Sequence, residues 1–275
     1  MKSSLISVDF LKNNLMQKNI VVLDCTIKKV TEVNANHTRK YQIKNARFFD
    51  IKGVFSDEDS TLPNTVLSPE KFEIRAQQLG ICKDSYVVCY DDLGIYSAPR
   101  VWWMFQLMGF DNVAVLDGGL PAWKTKNFPV QKPQKAVYFM GDFKVNYKAS
   151  KLKSTQQVLN AISKSSFLIA DARSSERFYA KVPEPRADLK RGHIPNSVNI
   201  PYTTVLNSGR LKPKNELVKI FENYKNKEVI IFTCGSGITA SILALAAAVA
   251  GIKNYAIYDG SWTAWGSSNN LPIAT

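Results

Sequence analysis

Short runs of β-branched and apolar residues recur along the chain, each followed by a polar or glycine-containing loop and then by a stretch with helical spacing. In the second half, FLIAD (167–171), SVNIP (197–201), EVIIFT (228–233) and YAIYD (255–259) predict short buried strands, and segments near 154–164, 214–224 and 239–250 predict helices. IVVLD (20–24), ARFFD (46–50), YVVCY (86–90) and VAVLD (113–117) are their counterparts in the first half. Strands that alternate with helices predict an α/β fold, a mostly parallel sheet with helices on both faces.

The pattern occurs twice. VLDGGLPAW (115–123) reads like IYDGSWTAW (257–265), and QIKNARFFDI (42–51) resembles HIPNSVNIPY (193–202). An alignment without gaps also sets YVVCYDDLGIYSA (86–98) on EVIIFTCGSGITA (228–240), with Asp92 at the place of Cys234. A duplicated domain follows: an N-terminal unit over 1–130, a proline- and lysine-containing linker over 131–152 and a C-terminal unit over 153–275.

Composition narrows the function. The chain has 275 residues and is 45% hydrophobic, enough for two cores. Its longest uncharged apolar stretch, 238–252, is shorter than the roughly 18 to 20 residues that span a bilayer, and the start MKSSLISVDFLKNN lacks the apolar run of an export signal. No membrane association and a cytoplasmic location are expected. The 36 Lys and Arg exceed the 23 Asp and Glu by 13 charges, but they are scattered and do not interleave with aromatics. Attraction of small anions is expected from this, and nucleic-acid binding is not. Four cysteines, at 25, 82, 89 and 234, form no CxxC pair and no Cys/His cluster, which predicts neither a disulfide framework nor a metal site.

The distinctive stretch is CGSGIT (234–239), between an apolar strand and an alanine-rich helix. In an open α/β sheet, ligands bind at that end of the strands. Glycines at 235 and 237 let successive backbone N–H groups turn inward, and the helix dipole favours the same negative charge. Both effects stabilise a thiolate, the reactive form of cysteine. GSGITA also imitates a dinucleotide fingerprint, but too little chain follows for the further βα units that fold needs. A cysteine phosphatase would need an arginine six residues past the thiol to clamp phosphate, and position 240 is alanine.

With LDGGLPAW and SAPRVWWMF (97–105) in the first half and DARSSERF, PEPR, GHIPNSVNIP and CGSGIT in the second, the chain resembles the two-domain rhodanese family over essentially its whole length. Within that family it is similar to the branch that takes sulfur from 3-mercaptopyruvate. The thiosulfate-using branch carries basic residues after the cysteine, where this chain has Gly235 and Ser236. The resemblance implies a cofactor-free enzyme in which Cys234 takes the sulfur as a persulfide and releases pyruvate. It implies Ser236 and Thr239 as catalytic partners, with Arg177, Arg186, Gly235, Gly237 and Ile238 binding the donor. The acceptor it implies is thioredoxin, a small thiol or cyanide. A thiosulfate sulfurtransferase and a non-enzymatic persulfide carrier are the alternatives. Gln42 stands where relatives often have a histidine, and His193 is expected to be a hydrogen-bonded loop residue. The N-terminal domain, lacking a nucleophile, is expected to be non-catalytic.

Overall fold

A computed structural model describes residues 3–28 and 39–275. The chain divides into two compact units, Met1–Glu58 with Val66–Lys148 and Ser208–Leu211, and Asp59–Thr65 with Ala149–Asn207 and Lys212–Thr275. A short piece of the N-terminal half, 59–65, thus belongs with the second unit.

Each unit is built on a five-stranded sheet in which all pairings are parallel. In the first the spatial order is Leu5–Ile6, Val113–Leu116, Tyr86–Tyr90, Ile20–Asp24 and Arg47–Phe48. In the second it is Val198–Asn199, Phe167–Asp171, Val229–Thr233, Tyr255–Tyr258 and Leu152–Lys153. Helices flank both sheets, so the central strands are buried on both sides and read as continuous apolar runs without alternation.

In the second unit the edge strand Leu152–Lys153 leads into the helix Thr155–Ala161, which starts at a capping box between Ser154 and Gln157. That helix packs Val158 and Ala161 with Ile169, Ile231, Tyr258, Trp262 and Trp265. The helix Ala240–Ala250 is apolar on every side and buried from Ala240 through Ala247, which suits a helix packed all round. It ends at Gly251, whose φ of 96° lets its N–H return to the carbonyls of Ala247 and Ala248. A buried helix of this kind holds its N-terminus, and the loop before it, in a fixed place. Among the described residues no helix is long and apolar enough to cross a membrane.

The strands expected at 20–24, 86–90 and 167–171 have those limits, and the others are shorter than their apolar runs. Leu5–Ile6 and Leu152–Lys153, one edge strand of each sheet, were not expected from the pattern.

Candidate active site

Cys234 follows directly on Val229–Thr233, the central strand of its sheet, at the end where parallel strands present their loops. The thiol residue is 1% exposed. Its backbone is fixed by the turn before the helix Ser261–Ser267. The Cys234 N–H donates to Ser261 Oγ at 3.3 Å, and its carbonyl accepts from the Trp262 N–H at 2.9 Å. The Gly235 carbonyl accepts twice from Thr263, from the N–H at 2.9 Å and from Oγ1 at 2.6 Å. Ser261 holds a left-handed φ of 48° while buried, and Gly119 has a φ of 50° at the matching place in the first unit.

Further along the loop, Gly237 has a φ of 82°, the left-handed conformation that glycine adopts without strain. Ser236 is covered by Asn64, whose Nδ2 donates to the Ser236 carbonyl at 3.2 Å and reaches its Oγ at 3.0 Å. Ile238 is buried, and Thr239 is half-buried as the N-cap of Ala240–Ala250.

Both arginines face this loop. Arg177 belongs to the short helix Ser175–Phe178 and donates to Glu184 from Nε at 3.2 Å and from Nη2 at 2.5 Å. A Cβ placed on Gly235 would lie 3.3 Å from Arg177 Nη2, so only glycine leaves the guanidinium its present position. The half-buried Arg186 donates to Thr263 Oγ1 at 3.4 Å and makes no direct hydrogen bond or ion pair to a carboxylate among the described residues. Burial, followed by the like charge of Arg177, lowers the pKa of Arg186, and Cys234 and Glu184 pull the other way. Loop and arginines thus form one electrostatic neighbourhood within the second unit. Among the described residues no cluster of three or more His, Cys, Asp or Glu could hold a metal.

The first unit contains the same loop with a different occupant, and here the gap-free alignment needs correction. The Leu120 N–H donates to the Asp91 carbonyl at 2.9 Å as Trp262 does to Cys234, and the residue following the strand Tyr86–Tyr90 is Asp91. Asp91, not Asp92, stands at the cysteine's place, because the first-unit loop is one residue longer before its helix at Ala98. The Asp91 carboxylate accepts N–H groups from Leu93 at 3.0 Å, Tyr96 at 2.8 Å, Ser97 at 2.9 Å and Ala98 at 2.9 Å. Burial pushes its carboxyl up, and these four amides oppose that shift. A loop of this design turns four backbone amides onto one side chain.

Other expected residues have structural partners. His193 bonds through Nδ1 to the Phe178 carbonyl at 3.0 Å and stacks on the Phe178 ring at 3.8 Å, as befits a loop histidine. Gln42 is buried and donates to the Ala46 carbonyl at 2.9 Å.

Sequence reasoning did not single out Asn64, Ser261, Thr263 or Glu184. Glu184 lies inside the PEPR motif and Ser261 and Thr263 beside Asp259–Gly260, so motif neighbours could have pointed to them. Asn64 stands 172 positions from Ser236, and no local pattern links the two.

A rhodanese-like domain model matches the chain twice, at residues 7–126 and 154–268. The chain belongs to the rhodanese family. The 3-mercaptopyruvate sulfurtransferase of Escherichia coli K12 is 34% identical over 98% of this chain and 96% of its own length. Thiosulfate/3-mercaptopyruvate sulfurtransferase 2 of Arabidopsis thaliana is 37% identical, covering 98% of this chain and 85% of its own. The crystal structure of the Escherichia coli 3-mercaptopyruvate sulfotransferase SseA superposes with a TM-score of 0.81, at 32% identity over 95% of this chain and 99% of that one. This rhodanese is therefore an enzyme of the sulfurtransferase class.

Proposed function

We propose that the enzyme moves sulfur from 3-mercaptopyruvate, through a persulfide on Cys234, to a thiol acceptor. The observation that carries the proposal is the pair of matching loops. The first closes four amides on the carboxylate of Asp91, and the second offers a thiol at the same place. Amides that converge on one spot stabilise negative charge that develops there during reaction.

In this mechanism the Cys234 thiolate attacks the donor sulfur. The carbon–sulfur bond breaks, its electron pair leaves on the enolate of pyruvate, and that enolate takes up a proton. The outer sulfur stays on Cys234 until an acceptor thiolate attacks it and restores the Cys234 thiolate, which makes two half-reactions of one transfer. Amides of the loop at Gly235, Gly237 and Ile238 face the developing charge, while the hydroxyls of Ser236 and Thr239 position the donor. Arg186, which is hydrogen-bonded to no carboxylate among the described residues, receives the donor's carboxylate together with Arg177. The loop itself holds no cation, which favours 3-mercaptopyruvate, charged at its far end, over thiosulfate, charged beside the sulfur. The C-terminal domain does the chemistry and the N-terminal domain, with Asp91 in its loop, is non-catalytic. Thioredoxin or a small thiol in a reducing compartment such as the cytoplasm fits as acceptor.

The test is intact mass and pyruvate release after reduced protein is mixed with each donor. A one-sulfur mass gain with stoichiometric pyruvate from 3-mercaptopyruvate, and weak loading by thiosulfate, is the expected result. Loading by neither donor would overturn the proposal and direct the search to a protein sulfur donor. Arg186→Ala is expected to lower kcat/KM for 3-mercaptopyruvate by about 10- to 100-fold, as loss of a charge-assisted hydrogen bond does, and to affect thiosulfate less. Equal losses for both donors would remove Arg186 from carboxylate recognition.

A further inference from the structure

We infer that Thr263 is a positioning residue that sets donor specificity by tying Arg186 to the loop of Cys234. The inference rests on the proposed function and adds a residue to it. Thr263 lies in the first turn of the helix Ser261–Ser267 and is 9% exposed. Its hydroxyl stands between two groups of the site. At 2.6 Å from the Gly235 carbonyl, Oγ1 gives its only proton to that oxygen. Its lone pairs are then left for Arg186 Nη1, which donates at 3.4 Å. The result is a directed chain from guanidinium to hydroxyl to the carbonyl next to Cys234.

Arg186 depends on this contact more than Arg177 does. Glu184 accepts two hydrogen bonds from Arg177, whereas the Thr263 hydroxyl is the acceptor that holds Arg186. Arg186 is also repelled by Arg177, a larger effect than its attraction to Cys234 or to Glu184. Without the hydroxyl, a long side chain would turn away from its like-charged neighbour and forfeit its place opposite the loop. A donor whose carboxylate and sulfur must be held at once needs that spacing kept. A donor charged at the sulfur end does not.

Thr263→Val tests the inference, because valine keeps the shape and the backbone bond from the residue 263 N–H to the Gly235 carbonyl. The expected result is a KM for 3-mercaptopyruvate raised about tenfold, with kcat and the thiosulfate KM held within about twofold, the pattern of lost binding that does not differ between ground and transition state. Thr263→Ser, which keeps the hydroxyl, is expected to restore the KM. An unchanged KM or an equal rise for both donors would overturn the specificity role. Wild-type protein that releases no pyruvate from 3-mercaptopyruvate would instead overturn the proposed function and this inference with it.

Discussion

Cys234→Ser is expected to abolish persulfide formation, with a fall in turnover of at least about 10⁴-fold, the scale on which enzymes lose activity with their nucleophile. The substitution is informative because of how residue 234 is held. Its hydrogen bonds to Ser261 and from Trp262 run through its own N–H and carbonyl, so serine keeps both and changes only the reacting atom. The variant should therefore fold like wild type while its hydroxyl stays protonated and does not attack sulfur. Nor do the other thiols replace it. Cys25 and Cys89 are fully buried in the first unit, and burial, with Cys89 beside it, raises the Cys25 thiol well above its ordinary range. Cys82 is partly exposed and serves as the control: Cys82→Ser should leave sulfur transfer at its wild-type rate. Pyruvate release by Cys234→Ser above the no-enzyme rate would place the chemistry elsewhere.

The sequence announces the central strands because they are buried on both faces and must be apolar throughout, as in VIIFT and YVVCY. Leu5–Ile6 and Leu152–Lys153 escape notice because two residues carry no periodicity, and their identity as strands comes from pairing with Val115–Leu116 and Ile257–Tyr258. The duplication was legible, but the loop register was not. A gap-free match rewards similarity in the flanking segments, and the extra residue after Asp91 is visible from the limits of strand and helix and from the bond that Leu120 makes to the Asp91 carbonyl. Of the site, the loop and both arginines could be found from motifs and family resemblance. The contacts that orient them could not, because Asn64 and Thr263 act across folded distance. Glu184 is a different case: it lies within a recognised motif, but its burial between two arginines is a consequence of packing.

Arg173→Met is expected to destabilise the second unit by about 3–5 kcal/mol, the usual effect of removing one member of a buried ion cluster. The Arg173 side chain has no exposed surface. It donates to Asp171 from Nε at 2.9 Å and from Nη2 at 2.7 Å, to Glu184 from Nη1 at 2.9 Å and to the Gly192 carbonyl at 2.8 Å, and its guanidinium lies 4.2 Å from the Trp262 ring centre. Methionine can fill much of that volume but offers no donor. Asp171 and Glu184, whose side chains are each 1% exposed, would keep their charges with less compensation. A loss of this size is a large share of the roughly 5–15 kcal/mol that keeps a domain folded. Urea titration should show a lower midpoint. The effect should also reach the chemistry, because Glu184 spans Arg173 and Arg177. Without Arg173, Glu184 is drawn more fully onto Arg177 and competes with the donor's carboxylate, so the folded variant should show a raised KM for 3-mercaptopyruvate. A midpoint equal to wild type would mean that the cluster contributes no net stability. A lowered midpoint with an unchanged KM would confine Arg173 to holding the fold.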